Sequence, residues 1–331
     1  MNPFGHEVVR LGTRGSRLAL RQADEVMSRL AAANPGVEIQ RVIVKTIGDK
    51  ILDTPLSKIG DKGLFTKELD IALHREKIDL AVHSLKDLPT LLPDDLTVGA
   101  VLEREAPNDA LISASRKRLM DLHAGARIGT SSLRRRSQLL ALRPDVTIVD
   151  LRGNVPTRLE RAEKGEFDAI VLALAGLTRL GFASRITEVL APDKVLPAVG
   201  QGAIAVQHRV GDARVTAMTA ALDHRPTRLA VSAERGLLRR LEGGCQVPIG
   251  ALARVEGKKI VLDGIVADLD GAPLYRARLE GDAITESTAA AIGAALAETL
   301  LGMGAREILD RIFASTRSVP VPSPGGGGED E

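Results

Sequence analysis

Tryptophan is missing from this 331-residue chain, tyrosine and cysteine each occur once, and aromatic residues together make up only 2%. With so few rings there is little to stack on bases, which argues against a single-stranded nucleic-acid platform. Any core must be built from Leu, Val, Ile and Ala. A lone cysteine, Cys245, excludes an intramolecular disulfide, so nothing in the composition asks for an oxidising compartment and a reducing cytoplasm fits. An excess of one charge is missing too: 45 Lys and Arg stand against 43 Asp and Glu, a formal +2, which removes any global drive toward nucleic acid or membrane. Anion binding must therefore be local. The best apolar run, residues 169–177, is too short to span a bilayer, and the first residues carry Glu7, Arg10, Arg14 and Arg17 in place of a signal-peptide apolar region. The expectation is a protein that is neither secreted nor inserted into a membrane.

What is present is enough apolar residue, 44%, for sizeable cores, and a length that suggests two or three domains. Strand-like Leu11-Gly12-Thr13 is followed by polar Arg14 to Ser16 and a helical pattern at Leu20, Ala23, Met27 and Leu30, closed by Pro35-Gly36 and a β-branched run at 42–44. A Lys/Gly loop at 59–63, a helix through Phe65, Leu69, Ala72 and Leu73, and a strand at 79–83 follow. The alternation predicts an α/β domain with a largely parallel sheet. The order then recurs: Ile128-Gly129-Thr130, Ser131-Ser132, a helix with Leu133, Leu139 and Leu140, and a strand at 146–149, while 168–171 parallels 79–82. Two similar α/β units side by side place a cleft between their loop edges, where ligands of open α/β sheets sit. After Pro226 a helix runs to Gly243-Gly244, with Cys245 just beyond. Strands near 249–255, 259–267 and 274–279, and helices within 283–313, complete a smaller α+β unit, and a glycine-acidic tail reads as disordered.

Several residues could carry chemistry. Arg134, Arg135, Arg136, Arg152, Arg158 and Arg179 concentrate on candidate loops; they are either a solvated basic face or forks for carboxylate or phosphate. Thr130, Ser131 and Ser132 stand at a helix start, where free N–H groups favour an anion. No phosphate-binding glycine loop with Lys-Ser/Thr is present, which makes carboxylates the better guess. Lys86-Asp87, where a strand enters a loop, is either a surface pair or a fixed negative charge set against a cation that develops in a reaction. His83 in its apolar strand reads as a core histidine. Cys245 reads as a small buried residue or as an attachment point opened by its two glycines, with Arg239 and Arg240 able to favour its thiolate; with no second cysteine or spaced His/Asp set, metal binding is not expected.

The combined motifs, Thr13-Arg14-Gly15-Ser16 with Leu18-Ala19 and Gln22, Lys62-Gly63-Leu64-Phe65, 81–89, 129–135, 151–154, 196–202 and 241–248, resemble the porphobilinogen deaminase (hydroxymethylbilane synthase) family over about residues 8 to 315. The resemblance implies two periplasmic-binding-protein-like (type II) α/β domains, 1–102 with 203–220 and 103–202, a C-terminal α+β domain at 221–316, and a tail at 317–331. It implies a transferase that joins four porphobilinogen molecules to a dipyrromethane primer held by thioether to Cys245. Asp87 matches the catalytic carboxylate. Lys86, Thr130, Ser131, Ser132, Arg134, Arg135, Arg152 and Gly153 match cofactor-binding positions, and Arg14, Ser16, Arg152, Arg158, Arg179 and Gln201 substrate-binding ones. Lys58, Lys62 and Phe65 match a mobile loop beside the cleft, and a monomer is implied. Two rivals are a non-enzymatic two-lobed carboxylate-binding protein, which leaves Cys245 and the third unit unexplained, and a nucleic-acid binder, which the near-neutral charge opposes.

Overall fold

Ser16 starts the first helix of the computed structural model, its hydroxyl accepting from the Ala19 N–H at 3.3 Å, and residues 8–46, 48, 65–241 and 247–317 are those the structure describes. That helix, α1 (Arg17–Ala33), buries Ala23 and Leu30 of the predicted stripe, while Leu20 and Met27 are only half-buried and Val26, one position before Met27, takes the inward place. It lies between β1 (Val8–Thr13) and β2 (Glu38–Ile43); α2 (Lys67–His74), β3 (Leu80–Ser84) and β4 (Leu96–Val101) follow. The chain then builds a second unit: β5 (Asp109–Ser113), β6 (Arg127–Gly129), α3 (Leu133–Leu142), β7 (Thr147–Val149), α4 (Val155–Glu163), β8 (Ala169–Ala173), α5 (Leu174–Arg179) and β9 (Glu188–Leu190). Next, β10 (Ile204–Arg209) returns to the first sheet, followed by α6 (Ala213–Thr219).

The sheets are ordered β2-β1-β3-β10-β4 and β7-β6-β8-β5-β9. They are mixed, which corrects the expectation of largely parallel pairing. β1 pairs in parallel with β2 and β3, whereas β10 is antiparallel to β3 and β4; β6 is parallel to β7 and β8, whereas β5 is antiparallel to β8 and β9. The reason is the path. The strand that runs opposite in each sheet is the one delivered by a crossing from the other unit, so it enters from the opposite end. Duplication is visible atom by atom: the Arg10 N–H donates to Asp79 at 2.8 Å, and the Arg127 N–H donates to Asp168 at 2.7 Å, at equivalent corners of the two sheets.

A third unit stacks α7 (Arg225–Arg240) and α8 (Glu286–Leu300) on the antiparallel sheet of β11 (Ile249–Glu256), β12 (Lys259–Ala267) and β13 (Leu274–Asp282), with α9 (Arg306–Arg317) beyond. Helices α7 and α8 cross closely because Gly236 and Gly293 face each other's backbones. A Cβ on Gly236 would stand 2.3 Å from the Ala290 carbonyl oxygen, and one on Gly293 2.0 Å from that of Ala233. Leu237 and Leu262 are fully buried in this core, and truncating either to Ala costs about 2–5 kcal/mol. Residues Glu286–Ala314 are long and apolar enough to cross a membrane by composition. Here Ala289, Leu296, Ala297 and Leu300 are buried in the core of this unit.

Candidate functional site

The functional loops leave the sheets at the carboxyl ends of β1, β3, β6 and β7. β3 stops at Ser84 and gives one 3-10 turn, Leu85–Asp87. Leu85 and Leu88 are buried, and the Leu85 N–H donates to the Ala203 carbonyl at 3.0 Å, so two apolar anchors hold Lys86 and Asp87 between them. Asp87 faces a cavity of about 390 Å³ with Arg14, Ser16, Phe65, Thr66 and His83 on its walls. The Arg14 guanidinium lies 4.1 Å from the Phe65 ring centroid, an arrangement that holds a cation by the ring's negative face. Gln22 donates to the Ser84 hydroxyl at 2.8 Å and stiffens the same wall.

Across the cleft, Thr130, Ser131 and Ser132 line a cavity of about 370 Å³ with Arg136 and Asp150. Their hydroxyls order the backbone. Ser132 caps α3 by accepting from the Arg135 N–H at 3.4 Å, Thr130 accepts from the Ser132 N–H at 3.2 Å, and Ser131 both donates to and accepts from Leu151 at 3.0 Å. Through Ser131 the loop after β6 is tied to the loop after β7, which carries Arg152 and Gly153. Gly153 has φ 111°, and a Cβ there would press to 3.0 Å on Thr157, so glycine suits this turn.

The arginines divide into groups. Arg134 and Arg135 both reach Asp109 at 2.8 Å, one on each carboxylate oxygen, and donate further to the carbonyls of Leu196 and Val171. Burial works to raise the Asp109 pKa, but the two guanidinium charges and their bonds overcome it and hold the carboxyl well below its usual range. Each of these arginines keeps a buried Nε without a partner, and so does Nη1 of Arg152. Arg158 donates through Nε to the Gly153 carbonyl at 2.7 Å; burial, then the like charges of Arg135 and Arg152, push its pKa down to about 10 against the pull of Asp87. Burial also lowers the Lys86 pKa, while Asp87 beside it raises it. Lys86, Arg134, Arg135 and Arg158 thus gather around Asp87 and Asp109, with Arg152 beside Arg158.

Arg179 and Gln201 sit at the seam between the units. Arg179 donates to the Gly202 carbonyl at 3.0 Å and lies 3.5 Å from Glu25 on α1. Gln201 is buried and donates to Asp109 at 2.9 Å and to the Pro107 carbonyl at 2.6 Å, leaving Oε1 unpartnered. Cys245, Lys58 and Lys62 lie outside the described residues. No group of three or more His, Cys, Asp or Glu that could hold a metal occurs among the described residues.

Sequence reasoning missed Asp109, whose only signal was an acidic residue opening an apolar strand. It missed Arg235 on α7 as well, and it gave Arg239 only a role near Cys245; the two donate to the carbonyls of Leu88, Pro89 and Thr90 and so grip the loop behind Asp87. Nothing in a helical pattern tells which carbonyl an arginine will reach.

Comparison with known proteins shows the family. Residues 9–217 match the family described as porphobilinogen deaminase, dipyromethane cofactor binding domain, and residues 228–302 match porphobilinogen deaminase, C-terminal domain. The chain is 55% identical over 308 residues to the porphobilinogen deaminase of Desulforudis audaxviator, covering 93% of this chain and 98% of that one. It is 54% identical over 303 residues to that of Pelotomaculum thermopropionicum, covering 92% and 96%. Two consecutive family matches and relatives aligned almost end to end, over a cleft that gathers cations around two carboxylates, establish that this chain belongs to the porphobilinogen deaminase family.

Proposed function

We propose that the cleft bounded by Asp87, Arg14 and the second-unit arginines is where this chain carries out its family's reaction, with Asp87 as the catalytic carboxylate and Cys245 as the cofactor anchor. The chain is an enzyme that condenses porphobilinogen head to tail into hydroxymethylbilane. The observation that carries the assignment is the concentration of Lys86, Arg134, Arg135 and Arg158 around two carboxylates with Arg152 next to Arg158, and the buried donor atoms left unpartnered on Arg134, Arg135 and Arg152. Buried unpaired donors are costly. An acetate- and propionate-bearing pyrrole chain fits them, since each ring brings two carboxylates.

The family uses a dipyrromethane cofactor. When bound, it supplies the nucleophilic pyrrole carbon onto which substrate is joined. Lys86, Thr130, Ser131, Ser132, Arg134, Arg135, Arg152 and Gly153 are the residues that would hold it, and Cys245, which follows α7, would fix it by thioether. Arg14, Ser16, Arg152, Arg158, Arg179 and Gln201 are assigned to substrate, Arg179 and Gln201 acting from the seam, and Lys58, Lys62 and Phe65 to the loop that flanks the cleft. Loss of ammonia from the aminomethyl carbon of porphobilinogen leaves positive charge spread over its ring. Asp87 is a fixed negative charge that meets this cation as it forms, and partial enclosure keeps the attraction strong. The neighbouring cations hold the substituent carboxylates and so orient the ring toward Asp87.

The two larger units are read as type II periplasmic-binding-protein lobes, 1–102 with 203–220 and 103–202, followed by 221–316. Their shared strand order, with one strand of each supplied from across the seam, supports this reading. Intact-protein mass tests the anchor. Purified protein should exceed its sequence mass by two linked pyrrole units, and Cys245→Ala should lack the excess; an unmodified wild-type chain that still makes hydroxymethylbilane would remove the anchor from the reading.

A further inference from the structure

β3 brings a second side chain to the cleft. His83 is 5% exposed and lines the same cavity as Asp87 and Arg14. Its Nε2 stands 2.8 Å from Oε1 of Gln207 on β10, and the Gln207 amide nitrogen donates to Oδ1 of Asp70 on α2 at 3.0 Å. This chain of bonds fixes a proton. A carboxylate oxygen accepts, so Gln207 must turn its NH2 toward Asp70 and its carbonyl toward the imidazole. A carbonyl accepts as well, so Nε2 of His83 must carry the hydrogen. Burial keeps the ring neutral, its pKa pushed down to about 4 against the bond from Gln207, with the Arg14 charge acting in the same direction as burial. Nδ1 is therefore left with its lone pair.

Resting on the cleft assignment above and deepening it, we propose that His83 accepts, at Nδ1, a hydrogen bond from the pyrrole N–H of porphobilinogen beside Asp87, and that Gln207 and Asp70 are positioning residues that hold it in the accepting tautomer. No proton is transferred in this contact. As the C–N bond breaks, its electron pair leaves with nitrogen as ammonia, the ring becomes cationic and its N–H a stronger donor. The bond to Nδ1 thus tightens toward the transition state and acts on kcat more than on KM. A neutral acceptor serves here where an imidazolium would repel the cation.

Two substitutions at His83 separate the ring nitrogens. His83→Gln keeps a donor near the Nε2 position for Gln207 but has no acceptor at the Nδ1 position; kcat should fall on the order of 10- to 100-fold with KM nearly unchanged. His83→Asn places an amide oxygen near the Nδ1 position and should recover a large part of that loss. Asp70→Asn, on the helix outside the strand core, lets Gln207 turn either way; with the two tautomers comparable, kcat should fall about twofold. Each variant should keep the wild-type mass increment. Wild-type kcat in His83→Gln, or an equal loss in His83→Gln and His83→Asn, overturns the role of Nδ1. If the strand variants do not fold, unchanged kcat in Asp70→Asn overturns it. A wild-type protein that releases no ammonia from porphobilinogen would fail the cleft assignment itself, before any variant is compared.

Discussion

Glu234 on α7 grips Arg104 with both carboxylate oxygens, at 2.5 and 3.1 Å, and is itself fully buried. Arg104 lies on the crossing from β4 to β5 and donates again to the Gln201 carbonyl at 2.8 Å on the returning crossing. The same carboxylate accepts from the N–H of Gly200 at 2.8 Å and of Ala253 on β11 at 2.9 Å. One side chain of the third unit thus ties together both strands of chain that connect the two lobes.

Breaking one side of a buried ion pair leaves the other charge uncompensated. Arg104→Leu or Glu234→Ala should therefore destabilise the protein by about 3–5 kcal/mol, read as a lowered urea midpoint. Midpoints within error of wild type would show that solvent reaches the pair.

Asp109 gives a pH-dependent effect. Its folded pKa is depressed, so its contribution is fully present above the unfolded value of about 3.9 and is lost as pH falls below it toward the folded value. Between pH 7 and 5 the contribution is constant. Asp109→Asn should cost about 3–5 kcal/mol at neutral pH, because Arg134 and Arg135 remain buried, and should flatten the decline in stability below about pH 4. Urea midpoints measured from pH 3 to pH 7 check both. An unchanged acid slope would mean that other carboxylates set the acid limb.

Asp87→Ala should lower kcat by roughly 10²–10³ or more, while near-normal melting and the primer's mass increment persist. Ammonia release and product formation provide the assay. Retention of more than half the wild-type rate would remove Asp87 from the chemistry.

Arg152→Leu removes a guanidinium with a buried unpartnered donor. Loss of one charge-assisted bond to a carboxylate is worth about 1.5–3 kcal/mol, about 10- to 150-fold in affinity. The expected result is incomplete primer loading by mass, or a KM for porphobilinogen raised by that factor. Full loading with an unaltered KM would show that this arginine does not meet a carboxylate.

Much of this was legible along the chain, because its signals are local. The helical spacing of Ala23 and Leu30, the polar helix starts at Ser16 and Ser132, the strand entering Lys86-Asp87 and the recurrence of Gly-Thr-polar starts are set by neighbours within a turn or a strand. The chemistry of Lys, Arg and Asp in that order also follows from side-chain type. Through-space pairing does not. Sequence periodicity gave no means of telling that β5 and β10 would run against their neighbours, that Asp109 would collect Arg134 and Arg135, that Glu234 would bind Arg104, or that Gln207 would set the tautomer of His83. Sequence by itself determined the elements, the repeat and the residues able to bind carboxylates. Only the tertiary structure decided which charges neutralise one another and which face the cleft, because an ion pair forms wherever packing brings two groups within a few ångströms, and that distance is unrelated to their separation along the chain.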